Sequence, residues 1–387
     1  MTSENWTQVV HSAREHELTL LLYQRLSQAK QLIPVSIYEP LRELYLRATA
    51  RNMVMRHHTG KILHALRERG LEVIVLKGLY LAEAVYKGIG LRTFDDIDLL
   101  LHRSDLPAAL EVMRGMGYEL STWYDPGDPN RDIKHVPPLM KKGAPIVELH
   151  WTILEEDEPF AIGVEGMWAR SVPAEIAGAS VRGLSVEDLL LHLSLHLTYQ
   201  HRLAIGVRNL YDIDAVIRRG GVDWTRLVTT AREWGAERVM WLTLRLLEDI
   251  VGTPLPQDLL GDMLPEQPDP DIVEEARRQL LARRSGGVTL TPDLAALGEA
   301  KGLFGKLRLV FARVFIPKRV LGREYNVNPR SVKIYLYYFT RFARLMRSYR
   351  GSAEGLLSGD QEALDSAQCE RARAGLHDWL TGETKNP

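Results

Sequence analysis

The sequence predicts an α+β protein, mostly helical, with a small mixed sheet between N-terminal helices and a C-terminal helical region. Apolar residues recur at three- and four-residue spacings through 6–70 and again from Ser185 onward, which is the helical period. Between these stretches, over 71–155, short apolar runs suited to strands alternate with helical segments, the pattern of a compact sheet with helices.

In the first helical stretch Pro34 and Pro40 interrupt the pattern and predict a turn between two helices, and Gly70 marks the exit. Val73-Ile74-Val75-Leu76 is a β-branched run suited to a buried strand. It stops at Lys77-Gly78, and Leu79 to Tyr86 returns to helical spacing. A second strand is expected at about 96–101, Asp-Ile-Asp-Leu-Leu-Leu. Ser104 suits a helix N-cap, Pro107 the first turn, and Gly115 and Gly117 the exit. Tyr118 to Thr122 reads as a third strand. A loop rich in Pro, Asp and Gly (125–130) precedes a further strand, Ile146 to Trp151. Ser185 and Asp188 have capping-box spacing before a Leu-rich run, and 207–219 and 223–251 continue as helices. The expected organisation is an N-terminal helical segment (1–70), an α/β core (71–160), a helical domain completing a cleft (161–260), a linker region (261–300), a basic aromatic-rich segment (301–350) and a tail (351–387).

The chain has 387 residues, 45% of them hydrophobic and 26% charged, enough to bury a sizeable core. A net charge of −1 predicts no chain-wide attraction to nucleic acid or membrane. Segment 301–350 is the exception, because its many Lys and Arg face one acid, Glu324, and aromatics are interleaved. That composition suits a nucleic-acid platform or a membrane-surface helix. An amphipathic helical domain with a solvated basic face is the simpler reading and ranks first, since Arg and Lys stems cover apolar surface without any partner. Cys369 is the only cysteine, so no intrachain disulfide forms, and a reducing cytoplasm is the expected setting. The opening Met-Thr-Ser-Glu-Asn-Trp lacks the basic and apolar regions of a signal peptide. No apolar run approaches the ~20 residues that span a bilayer.

The chemistry centres on Thr93-Phe94-Asp95-Asp96-Ile97-Asp98-Leu99. Alternate strand residues share a face, so Asp96 and Asp98 project together while Ile97 points to the core. Two carboxylates ~6 Å apart repel by roughly 2–3 kcal/mol at an effective dielectric of ~20. Mg²⁺ relieves that repulsion and takes carboxylate ligands together with phosphate oxygens and waters. Such pairs also occur at solvated strand ends. Lys77-Gly78 sits where a strand turns into a helix: glycine permits close backbone approach, and Lys77 brings a positive charge for a triphosphate. Arg92 lies just before the acids and could serve the same anion. Solvated roles account for both side chains as well. Glu148 lies among apolar residues in Ile146-Val147-Glu148-Leu149-His150-Trp151, where an acid is costly unless paired or bound to metal. It completes a carboxylate triad and is the candidate general base. His192 and His196 share a helix face, which raises a zinc hydrolase as a rival, but no Glu follows the first histidine as in His-Glu-x-x-His.

These residues carry a resemblance. Leu76-Lys77-Gly78, the Tyr86 region, Arg92, Asp96-Ile97-Asp98-Leu99-Leu100, Gly117-Tyr118, Glu148-Leu149-His150-Trp151, the stretch Leu184 to Leu190, His192, His196 and Arg208-Asn209-Leu210-Tyr211-Asp212 resemble the uncharacterised bacterial nucleotidyltransferase family, within the DNA polymerase beta-like superfamily. The likeness covers roughly 60–250. It implies that Asp96 and Asp98 bind the catalytic metals, that Glu148 is the third acid, and that Lys77 and Gly78 form the nucleotide-phosphate turn. The superfamily usually has Gly-Ser at that turn, and Lys-Gly is a departure shared with this family. His150, His196, Arg208 and Asp212 would line the cleft, bracing its wall or touching the nucleotide.

The expected activity is therefore transfer of an NMP from an NTP, with Mg²⁺ or Mn²⁺, to a small molecule, a protein side chain or an RNA end. The rivals are a catalytically silent scaffold that keeps the fold and a nucleic-acid or membrane-surface binding protein centred on 301–350.

Overall fold

The computed structural model describes residues 3–121, 134–263, 270–282, 314–315, 318, 321, 331, 333–343 and 374–382. They fall into two compact units, Met1–Arg283 with Trp379–Glu383, and Arg284–Asp378 with Thr384–Pro387. The α+β class read from the sequence holds.

The first unit opens with α1 (Ser3–Glu15), α2 (Thr19–Ser27) and the long α3 (Val35–Glu68). Pro34 caps α3, but Pro40 lies inside it, so the expected break there does not occur. A proline so near the N-terminus forfeits a single ladder bond, which a 34-residue helix tolerates. Gly70 ends the helix as expected. Its φ of 78° lets the Leu71 amide donate back to the Leu66 carbonyl at 3.1 Å.

The sheet has seven strands: β1 (Ile74–Val75), β2 (Asp96–Leu100), β3 (Glu119–Leu120), β4 (Leu139–Met140), β5 (Ile146–His150), β6 (Val172–Ile176) and β7 (Ala179–Gly183), in spatial order β3-β4-β5-β2-β1-β7-β6. It is mixed: β2 runs parallel to β5 and antiparallel to β1, while β1 runs parallel to β7. Strands β4, β6 and β7 were not legible in the sequence. The β6–β7 hairpin turns through Ala177 and Gly178, both at positive φ (54° and 78°), where sequence reading looks for Asn-Gly or Asp-Gly. Helix α4 (Lys77–Tyr80) follows β1 and continues as a wider turn over Leu81–Val85. Helix α5 (Leu106–Gly115) starts after Asp105 rather than Ser104, with Pro107 in its first turn as expected.

One face of β2 and β5 carries Ile97, Leu99, Val147 and Leu149, which share a core with Ile62, Leu63 and Leu66 of α3 and Ala109 and Met113 of α5. Each fully buried Leu or Ile contributes about 1.5–3 kcal/mol, so these two strands are anchored from behind. The strand period then sends Asp96, Asp98, Glu148 and His150 to the opposite face.

That face meets α7 (Val186–Ser194), prolonged by a wide turn over Leu195–Gln200, the first of the helices that follow α6 (Val164–Arg170). Then come α8 (Val207–Arg218), α9 (Trp224–Glu233), α10 (Glu237–Leu246), α11 (Leu259–Asp262) and α12 (Pro270–Leu281). Ser185 caps α7 as its sequence predicts: its Oγ accepts from the Asp188 amide at 3.1 Å and donates to Asp188 Oδ2 at 2.9 Å.

In the second unit Leu321, Ile334 and Tyr338 are buried together, and the Lys318 ammonium lies 4.3 Å from the Tyr335 ring centroid. Much of the basic block expected at 301–350 falls outside the described residues, as do the 125–130 loop, Thr122, Cys369 and much of the expected linker and tail. Among the described residues no helix is long and apolar enough to cross a membrane.

Candidate active site

Strands β2 and β5 lie in parallel register, with Asp96 opposite Ile146, Asp98 opposite Glu148 and Leu100 opposite His150. Asp98 and Glu148 therefore stand side by side on one face, and His150 follows one step deeper. Its Nε2 is 3.2 Å from Asp98 Oδ1 and 3.3 Å from Glu148 Oε2. One ligand atom from each of Asp98, Glu148 and His150 lies within 4.8 Å of the others. Asp96 does not join this close cluster. It sits at the outer, half-buried end of β2, while Asp98 is buried. Asp95, just before β2, pairs with Arg51 of α3 in the open.

Lys77, at the start of α4, is the nearest cation. Its Nζ lies 3.4 Å from Asp98 Oδ2, with 16% of the side chain exposed. Gly78 directly after it breaks helical geometry (φ 14°, ψ −102°) and turns the chain past Phe94 and the Asp96 carbonyl.

Charge in this pocket is unevenly shared. Burial would raise the Asp98 carboxyl, but Lys77 and the His150 hydrogen bond outweigh it and hold the group well below the usual carboxylate range. Glu148 is likewise lowered: burial raises it, but the His150 hydrogen bond together with the His135 and His150 charges prevails. Asp96 lacks that support: burial, then the Asp98 charge, push it up to about 6. The same contacts reverse the effect of burial on His150 and raise it. The pocket therefore concentrates negative charge on two oxygen donors, with a third acid at its mouth.

The helical side closes over this face. His196 Nε2 lies 3.4 Å from Lys77 Nζ and 3.1 Å from His201 Nε2. His192, one turn earlier, is buried and pushed down to about 3 by burial and the Lys77 charge. His192 and His196 thus face Lys77, and neither belongs to the only group of potential metal-binding side chains among the described residues.

Arg92 does not turn to the acids. Its Nε donates to Asp212 Oδ2 at 3.1 Å, and the Tyr86 hydroxyl donates to Asp212 Oδ1 at 2.8 Å. Arg208 donates from Nη1 to the Thr93 carbonyl and hydroxyl, 3.3 Å each, and pairs with Glu17 at 3.1 Å. From α3, the Asn52 amide donates to the Arg92 carbonyl at 2.7 Å. Gly90 allows this approach, since a Cβ there would stand 2.1 Å from Thr49 Oγ1. The loop from Tyr86 to Asp95 is thus held by α3 on one side and α8 on the other, which fixes the entry to β2.

Sequence reading missed Lys134 and His135. Both belong to a segment that runs beside β5: the Trp151 amide donates to the Lys134 carbonyl at 3.0 Å. His135 Nε2 reaches Glu148 at 3.7 Å, and the Lys134 side chain lies close enough to Asp98 and Glu148 to feel their charge. Nothing in the local spacing of Lys134-His135 signals that position.

A mixed sheet that sets carboxylates on neighbouring strands beside a strand-to-helix turn is a nucleotidyltransferase-like core. Residues 2–252 match the family model described as uncharacterised nucleotidyltransferase, and the chain belongs to that family. No curated protein matches the chain. Among solved structures, it is similar to a solution structure of the antibiotic-resistance factor ANT(2'')-Ia (TM-score 0.35, 15% identity, 47% of this chain and 92% of that one). A crystal structure of ANT(2'')-Ia with adenylyl-2''-tobramycin overlaps to a similar extent (TM-score 0.33, 15% identity, 44% and 91%). Overlap at that level is too loose to carry an inference about activity.

Proposed function

We propose that this protein transfers a nucleoside monophosphate from an NTP, ATP among them, to a hydroxyl or similar nucleophile and releases pyrophosphate. The observation that carries the reading is the in-register pairing of Asp98 with Glu148, with Asp96 on the same face and Lys77 against Asp98. Family membership supports the reaction class. In this reading 71–160 is the catalytic core and 161–260 completes the cleft.

The donor set fits a hard divalent ion. Asp98 Oδ2 is buried with no closer partner than the Lys77 ammonium at 3.4 Å, and carboxylate oxygens are the ligands that Mg²⁺ and Mn²⁺ favour. Asp96, Asp98 and Glu148 would hold such an ion, which when bound supplies charge stabilisation at the phosphates and acidifies a nearby hydroxyl. His150 already engages one oxygen of Asp98 and one of Glu148, which orients both carboxylates.

Glu148, kept ionised by His150, accepts the proton of the acceptor hydroxyl. The acceptor oxygen bonds to the α-phosphorus while the bond from that phosphorus to the bridging oxygen breaks, and pyrophosphate leaves with the electron pair. Lys77 and the backbone at Gly78 bind the phosphates. Arg92, Asp212 and Arg208 keep the entry to β2 in place. The acceptor is a small molecule, a protein side chain or an RNA end, and the setting is the bacterial cytoplasm.

Labelled nucleotide tests this reading. With NTP, Mg²⁺ and a bacterial extract, label at the α-phosphate should move to an acceptor with the wild-type protein and not with Asp98→Asn, while γ-label should leave as pyrophosphate. Movement of γ-label to the acceptor would mean phosphoryl transfer and overturn the proposal.

A further inference from the structure

Three basic nitrogens converge beside the acids. Lys77 Nζ, His196 Nε2 and His201 Nε2 stand in a row, with neighbours 3.4 and 3.1 Å apart. The row begins 3.4 Å from Asp98 Oδ2 and rises from the buried sheet to exposed His201. Lys134 lies close enough for its charge to bear on both histidines. The single lone pair of His196 Nε2 accepts fully from only one of Lys77 and His201, and the Lys77 and Lys134 ammonium groups leave excess positive charge in a small space. Burial and the Lys77 charge hold both imidazoles below their usual range. An anion placed among these nitrogens would turn that crowding into attraction.

From this arrangement we infer that Lys77, His196 and His201 form a subsite for the β- and γ-phosphates of the nucleotide, and hence for the pyrophosphate leaving group. The inference rests on the nucleotidyl-transfer reading and deepens it. The α-phosphate lies over Asp96, Asp98 and Glu148, and the remaining phosphates run outward along the row. Lys77 is shared between the two halves: in the structure it leans on Asp98, and a polyphosphate draws it toward the histidines. Two consequences follow. Inorganic pyrophosphate binds without any metal, and removing the Asp98 charge strengthens that binding because Lys77 is released.

Calorimetric titration of inorganic pyrophosphate in the presence of EDTA tests the subsite. A hydrogen bond to a charged group contributes roughly 1.5–3 kcal/mol, so His196→Gln and His201→Ala should each weaken binding about tenfold or more. Asp98→Asn should bind pyrophosphate at least as tightly as wild type while losing nucleotidyl transfer. His57→Gln, an exposed histidine away from the row, serves as the unchanged control. His201 is exposed, so its replacement leaves the fold intact; melting curves confirm this for each variant. If the histidine variants bind pyrophosphate like wild type and α-label transfer persists, the subsite is wrong and the transferase reading stands. If the wild-type protein binds neither pyrophosphate nor NTP, both fall.

Discussion

Replacing Arg92 with methionine removes the cation from a buried carboxylate. The Arg92 side chain is 8% exposed and that of Asp212 1%, with 3.1 Å between Nε and Oδ2. Breaking such a pair by truncating one partner costs about 3–5 kcal/mol, because the other charge stays in the interior. Each kcal/mol shifts the melting temperature of a fold of this size by about 2–4 °C, so the loss should be on the order of 10 °C. Tyr86 keeps its hydrogen bond to Asp212 and limits the damage without cancelling it. Removing both charges in Arg92→Met with Asp212→Leu should recover most of the stability, since no ion is then stranded. Chemical denaturation followed by circular dichroism, with melting curves on the two single variants and the double, makes the comparison. If Arg92→Met melts within about 2 °C of wild type, or the double variant is no better than the worse single, Arg92 and Asp212 do not brace the entry to β2.

Three further outcomes follow from the geometry. His150→Phe should weaken divalent-ion binding by about 10–100-fold, and His150→Gln, which keeps an N–H near the two carboxylates, should restore much of it in a calorimetric titration. Ser185→Ala removes the acceptor for the Asp188 amide and should cost about 1 kcal/mol in a denaturation curve. Gly60→Ala would set a Cβ 2.8 Å from the Ala177 carbonyl oxygen, where α3 meets the β6–β7 turn. It should destabilise by about 1–3 kcal/mol, and a neutral effect would mean that the hairpin yields easily.

Much of the fold was legible because local signals agreed with tertiary demands. The β1 run is uniformly apolar because it lies inside the sheet, and Asp-Ile-Asp alternates because one face of β2 is core and the other is pocket. Gly70 and Ser185 signalled helix ends because capping is a local event. Pro40 misled because its cost depends on how near the helix start it falls, which the sequence leaves undecided. The β6–β7 hairpin escaped notice because Ala177-Gly178 is not a recognised turn pair, and β4 because a two-residue strand has no periodicity.

The candidate site divides along the same line. Asp96, Asp98, Glu148 and Lys77 drew attention because charged residues border apolar strands. That Glu148 stands opposite Asp98 is a matter of strand order and register, which spacing does not determine. Arg92 and Asp212 are 120 residues apart, and their pairing depends on how α8 packs, which spacing around Arg92 does not determine. Lys134 and His135 gain their place from backbone pairing with the end of β5, and His201 from a fold-back onto His196. Their residue types fit many roles, and only the fold selects one.

The proposed transfer requires Asp98 and Glu148 jointly to hold a divalent cation, and Mn²⁺ titration monitored by electron paramagnetic resonance, with and without NTP, measures that directly. The prediction is saturable binding to wild type that tightens with NTP and weakens by at least about 10–100-fold in both Asp98→Asn and Glu148→Gln. Binding that is equally tight in either variant, or absent from the wild type even with NTP, would contradict it.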